Sequence, residues 1–227
     1  MRDIKVISFD MDGTLVDLKF VDLVWHEGIP LLYAKKEGIE FEEARDFVRS
    51  EYRKYGEYTI EWYDITFWFE YFSFEESWEE MMDRYNHEIK IFPEVPQVLD
   101  TLKDDYELIV GSNATREFID RELYGYESYF THTFSSTSDF EQVKKTSDFY
   151  ANICEVMGVS PEEIVHVGDH WEFDYLAPRE FGITSFFLNR DGKKTEDAGG
   201  FSVKDLEEMR RLIMGGMGSK KEHTSHM

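Results

Sequence analysis

Short apolar runs rich in β-branched residues, recurring between helical stretches, restrict the fold of this chain more than any other feature. Ile4 to Phe9 is the first run, and it stops abruptly at the acidic turn Asp10-Met11-Asp12-Gly13-Thr14. Glu107 to Gly111 and Ile164 to Gly168 are two more. Runs of this length without apolar–polar alternation predict strands buried on both faces. Thr131 to Ser135 and Ile183 to Leu188 read as further strands. Helical patterns separate them at 97–103, from the turn Ser112-Asn113-Ala114-Thr115 through Leu123, at 147–157 and at 203–214. This alternation predicts an α/β fold: a Rossmann-like parallel sheet covered by helices on both faces.

One segment does not fit the alternation. From Val16 to Lys90 the spacing is helical, with patterns at Phe20–Lys36, Glu42–Tyr55, Thr59–Phe72 and Glu75–Ile89, and aromatic residues are dense. Residues 17–89 therefore read as a small all-helical module inserted into a core made of 1–16 and 90–214. The polar, patternless stretch 215–227 reads as a disordered tail.

Charge limits the partners. The chain carries 48 acidic and 25 basic residues, a formal net charge of -23. Such a surface repels nucleic-acid phosphates and anionic membranes at long range. No stretch is long and apolar enough to span a bilayer, and the N-terminus resembles a strand start rather than a signal peptide. A single cysteine, Cys154, forms no intramolecular disulfide, which fits a cytoplasmic setting. The aromatic-rich helices suit a packed module core or a dimer surface, so a monomer or a homodimer is expected.

Ligands of parallel sheets bind beyond the carboxyl ends of the strands. Three polar clusters sit there: Asp10 with Asp12, Ser112 with Asn113, and Asp169 with Asp174. Two carboxylates in one small volume repel unless a cation or a shared proton relieves them, and hard oxygen ligands suit Mg²⁺. Ser112, before a helix, offers a hydroxyl to an anion. Lys144 and Lys145 supply positive charge that the overall balance lacks.

In this order the segments resemble the haloacid dehalogenase superfamily, in its phosphatase-like majority. Asp10-Met11-Asp12-Gly13-Thr14-Leu15 is similar to its first motif, and Ile109-Val110-Gly111-Ser112-Asn113 to its second. A lysine before a helix is similar to the third, and Val167-Gly168-Asp169 with Asp174 to the acidic fourth. The helical insertion after the first motif resembles that family's cap. The resemblance implies that Asp10 is a nucleophile forming an aspartyl-phosphate and that Asp12 is a general acid and base. It implies that Ser112, Asn113 and the lysine hold the phosphoryl group. It implies that Mg²⁺ is bound by Asp10, Asp169 and the backbone carbonyl of Asp12, with Asp174 acting through water or as an orienting carboxylate. The substrate would be a small phosphorylated metabolite. A phosphomutase shares these residues; the dehalogenases lack an acid at the position of Asp12, so Asp12 argues for phosphate chemistry. The family's third motif has proline after its lysine, whereas this chain has Lys144-Lys145-Thr146-Ser147, and counting back from Asp169 favours Lys144.

Within the helical insertion, Trp25, His26 and Glu27 are candidates to touch substrate. Arg45, Arg49 and Arg53 read as a solvated, ion-paired face. Trp62 to Phe72 read as packing, His166 as core, and His170 as a neighbour of the site.

Overall fold

The computed structural model describes residues 3–192 and 199–221. Its sheet has six strands: β1 Val6–Phe9, β2 Glu107–Ser112, β3 His132–Ser135, β4 Ile164–Gly168, β5 Thr184–Leu188 and β6 Ser202–Val203. They lie in the order β3-β2-β1-β4-β5-β6, and every neighbouring pair is parallel. This is the sheet that the alternation of runs predicts, with β6 as an addition too short to carry a sequence pattern.

The pleat sends alternate residues to opposite faces. Ile7, Phe9, Val110, Val165 and Val167 join one apolar cluster with Val95, Val98 and Leu99 of the helix Val95–Leu102 and with Leu206 and Met209. Val6, Ile109 and Ile164 join another with Phe149 and Ile153 of the helix Ser147–Met157. Cys154 is buried in this second cluster, and burial pushes its thiol up to about 11, as suits a packing residue. Because both faces are covered, β1 is wholly buried. Its end falls between those of β2 and β4, with Phe9 registered on Val110 and Val167. The chain moves outward in both directions from β1, so a crevice opens there.

The helices between β1 and Val95 enclose their own apolar cluster, including Phe20, Val48, Trp68, Phe72 and Met81. Its boundaries differ in detail from the periodicity. A π-helical turn, Val24–Gly28, interrupts the first helix. Asp64 caps Ile65–Tyr71 by accepting from the Phe67 N–H at 3.1 Å, and Ser77 caps Trp78–Asp83 from the Glu80 N–H at 3.2 Å. These local caps split two expected long helices. The entering and leaving chains run side by side: the Asp17 N–H donates to Lys90 O (2.9 Å) and the Phe92 N–H to Leu15 O (3.0 Å).

The C-terminal helix runs from Leu206 to Lys221 rather than stopping at Met214. Extending an anchored helix needs no new nucleus, and its glycines cost only about 1 kcal/mol each. The rest of the expected tail, 222–227, lies outside the described residues. No helix among the described residues is long and apolar enough to cross a membrane.

Candidate active site

Asp10 is the first residue past β1 and is buried. Its N–H still donates to Val167 O (2.9 Å), and its Oδ2 accepts from the Thr14 hydroxyl at 3.3 Å. The turn behind it is pinned by Met11, fully buried, whose carbonyl accepts from the N–H groups of Leu15 (2.8 Å) and Val16 (3.1 Å). Gly13 sits at φ +75°, and a Cβ there would lie 2.3 Å from Asp169 Oδ2. Glycine is thus required twice, by conformation and by space. Arg190, just past β5, donates from Nε to Gly13 O (3.2 Å) and from Nη2 to Thr14 O (2.7 Å), and pairs with Glu94 at 2.6 Å. Nothing in the sequence near Arg190 announces this role.

The lysine facing Asp10 is Lys145, which corrects the expectation of Lys144. Lys145 Nζ, buried, pairs with both Asp10 and Asp174 and donates to Gly111 O at 3.2 Å. Lys144 instead lies over the rings of Tyr58 (3.7 Å) and Phe173 (4.5 Å), with Glu57 3.8 Å away. The reason is local. The Thr146 N–H donates back to Lys144 O (2.9 Å), closing a three-residue turn centred on Lys145. The Lys145 N–H donates to Asn113 Oδ1 (2.9 Å), which fixes that centre against the end of β2. Adjacent side chains then point apart. Burial disfavours the Lys145 ammonium, but Asp10 and Asp174 outweigh it, and its pKa is raised.

Asp174 lies in a π-helical segment, Trp171–Leu176, a form concentrated at functional sites. It accepts from Lys145, from His166 Nε2 (3.1 Å) and from the His170 N–H (2.9 Å). Burial would raise its pKa, but Lys145 and His166 outweigh this and hold it below the usual carboxylate range. His166 is buried as the sequence suggests, yet it is more than packing. Burial lowers its pKa, so the neutral ring accepts from Ser8 Oγ at Nδ1 (2.8 Å) and donates to Asp174 from Nε2. Gly168 makes room for this carboxylate, since a Cβ there would stand 2.3 Å from Asp174 Cγ.

Oxygens of Asp10, Asp169 and Asp174 lie within 4.8 Å of one another. Burial and Asp174 push Asp10 well up despite Lys145, and burial and Asp174 raise Asp169 to about 6. Burial and Asp169 raise Asp12 to about 7, and its Oδ1 has no hydrogen-bond partner. Three carboxylates so crowded, at Asp10, Asp169 and Asp174, fit a divalent cation. Asp174 already accepts from three donors, which suits orientation better than direct ligation.

Glu122 is a participant that the sequence does not signal. It is buried on the helix Arg116–Glu122, neither carboxylate oxygen has a donor, and its carboxyl group meets that of Asp12. Burial first, then Asp12, raises its pKa well above the usual range. Ser112 Oγ is buried and accepts from the Ala114 N–H at 3.0 Å. Asn113 Oδ1 takes the Lys145 N–H and the Ser136 hydroxyl (3.1 Å), tying two strand ends together.

Asp10, Asp12, Ser112, Asn113, Lys145, Asp169, His170 and Asp174 border one cavity of about 660 Å³, whereas Glu122, Lys144, His166 and Arg190 do not. The helical insertion forms its other wall. Trp25 and His26 line it but Glu27 does not; Trp62 and Tyr63 line it while Trp68, Phe69 and Phe72 pack inside. Arg45 pairs with Glu42, as expected of a solvated face, but Arg49 and Arg53 border the cavity.

A haloacid dehalogenase-like hydrolase family model matches residues 4–182. Glyceraldehyde 3-phosphate phosphatase of Pyrococcus furiosus is 24% identical, covering 99% of this chain and 100% of that protein. GMP/IMP nucleotidase YrfG of Escherichia coli is 33% identical over 69 residues, so the match spans only 31% of that protein. Among solved structures, an HAD phosphatase from Thermococcus onnurineus superposes with a TM-score of 0.80 at 27% identity, over 94% of this chain and 99% of that one. A 2-haloacid dehalogenase from Pseudomonas syringae shares the fold, with a TM-score of 0.69 at 20% identity over 94% and 99%. With the family model covering most of the chain and its motif carboxylates gathered at one crevice, this protein belongs to the haloacid dehalogenase-like hydrolases.

Proposed function

We propose that this hydrolase is a Mg²⁺-dependent phosphatase acting on a small phosphate monoester through an aspartyl-phosphate on Asp10. The observation that carries the reading is the cavity-facing pair of carboxyls at positions 10 and 12, one held by Lys145 and the other raised to about 7. The two relatives' names, a triose-phosphate phosphatase and a nucleotidase, favour phosphate esters and leave the leaving group open. The acid at Asp12 favours phosphate over carbon–halogen chemistry.

Asp10 attacks phosphorus, and the bond to the leaving oxygen breaks. Asp12, raised to about 7, delivers a proton to that oxygen. Asp12 then takes a proton from water, which attacks the aspartyl-phosphate, and Asp10 returns as orthophosphate leaves. Lys145 and Ser112 hold the transferring group's oxygens. Mg²⁺, with Asp10, Asp169 and the Asp12 carbonyl as its protein ligands, supplies charge neutralisation. The helices of 17–89 act as a cap moving on the two hydrogen-bonded connecting segments, 15–17 and 90–92.

Phosphate release from a panel of small monoesters tests this. The expected result is release with Mg²⁺, loss with a chelator, and loss in Asp10→Asn. Full activity of Asp10→Asn would overturn it, and transfer between hydroxyls without net phosphate release would make the protein a mutase.

A further inference from the structure

We propose that Arg49 and Arg53 recognise a second anionic group on the substrate, a carboxylate or a further phosphate, on a leaving group with an apolar or aromatic body. This rests on the phosphatase reading and specifies its substrate class.

The argument starts from charge. In a chain with 48 acids and 25 bases, an arginine finds an acid easily. Arg84, Arg116, Arg121, Arg190 and Arg210 each pair with a carboxylate, and so does Arg45, one turn earlier on the helix Phe41–Tyr55. Arg49 and Arg53 have no acidic partner among the described residues, and both border the cavity that holds Asp10. Arg49 is half-buried, and Arg53 Nε donates to Arg49 O at 3.2 Å, leaving both terminal nitrogens available. Asp22 also borders the cavity but pairs with neither. Two guanidinium groups one helical turn apart provide planar, forked donors suited to carboxylate or phosphate.

The rest of the site cannot supply this recognition. Lys145 is committed to the reacting end of the site, between Asp10 and Asp174, and the net charge of -23 repels any polyanion. An added anion therefore needs cations of its own. Tyr52, on the same helical face, carries Trp25 edge-on at 5.9 Å, and Trp25 stacks on Phe118 at 5.5 Å. These rings line the same cavity, whose volume of about 660 Å³ exceeds what a phosphoryl group alone would fill.

The test compares phosphate release from phenyl phosphate, para-carboxyphenyl phosphate and para-(phosphonomethyl)phenyl phosphate, with Mg²⁺ present. The expected result is a kcat/KM about tenfold or more higher for at least one of the two anionic probes, expressed in KM. Whichever probe gains separates a carboxylate from a phosphate ligand. In Arg49→Gln/Arg53→Gln that advantage should fall to about twofold or less, and either single variant serves if the double variant does not fold. Equal or poorer use of both anionic probes by the unaltered protein would overturn the proposal, as would an advantage that survives the substitutions. If no probe is hydrolysed, the phosphatase reading is judged separately by the panel of small monoesters. Calorimetric titration of para-carboxybenzyl and para-(phosphonomethyl)benzyl phosphonate against benzyl phosphonate then decides the arginine proposal by the same ratio.

Discussion

Lys145→Met and Lys144→Met form a matched pair, because the two residues are adjacent, chemically identical and differently placed. Lys145 is buried between Asp10 and Asp174. Methionine keeps most of the volume but leaves two facing carboxylates without their shared cation. Breaking a buried pair in this way costs about 3–5 kcal/mol. For a chain of this size each kcal/mol moves Tm by about 2–4 °C, so Tm should fall by about 6–20 °C. Loss of one preorganised donor at the transferring phosphoryl group should lower kcat by about 10²–10³. Lys144 contributes a cation–π contact on Tyr58 and Phe173, worth about 0.5–2 kcal/mol. Lys144→Met should therefore lower Tm by only a few degrees and kcat by less than about tenfold. Thermal denaturation at pH 7 and initial rates of phosphate release measure both. If Lys144→Met is the more damaging substitution, or Lys145→Met keeps its rate, the placement of the two side chains is wrong.

Three further outcomes follow from the acids. Asp12→Asn should reduce kcat by about 10²–10⁴ on an alkyl phosphate and by much less on an aryl phosphate whose leaving group needs no proton; equal losses would remove Asp12 from the acid role. Asp12 and Asp169 are raised to about 7 and about 6, so without metal the folded chain holds protons that the unfolded chain has already released. Stability of the chelator-treated protein should then fall as pH rises from about 4 through 7, and Mg²⁺ should raise Tm more at pH 8 than at pH 5; a pH-independent Mg²⁺ effect would contradict this. Glu122 is raised by burial and by Asp12, so it too costs stability as pH climbs. The Tm of Glu122→Gln relative to the unaltered protein should rise between pH 5 and pH 8, and a constant difference would show that the carboxyl is not buried against Asp12.

The sheet was legible because its strands are buried on both faces. Strands such as Val6–Phe9 and Ile164–Gly168 leave no polar side chain to confuse the period, except Ser8 and His166, which pair with each other. Elements set by local hydrogen bonds were less legible. Asp64 and Ser77 start helices at positions inside patterns that periodicity alone begins earlier, and the π-turns at 24–28 and 171–176 have no hydropathic signature.

The same division runs through the site. Asp10, Asp12, Ser112 and Asp169 could be placed because a strand end is a position that the sequence itself marks. Lys145, Glu122 and Arg190 could not, because each is brought in by a turn, a helix face or a neighbouring strand whose direction no local pattern records. A single turn from Lys144 to Thr146 decides which of two lysines meets Asp10. These late-arriving residues also control the charge states of the legible ones. Lys145 opposes the upward shift of Asp10 and helps hold Asp174 low, while Glu122 sits against Asp12, the carboxyl proposed to carry a proton. The motif carboxylates therefore mark the crevice, and the residues that tertiary structure adds give each of them a different ionisable neighbour: Lys145 at Asp10 and Asp174, Glu122 at Asp12.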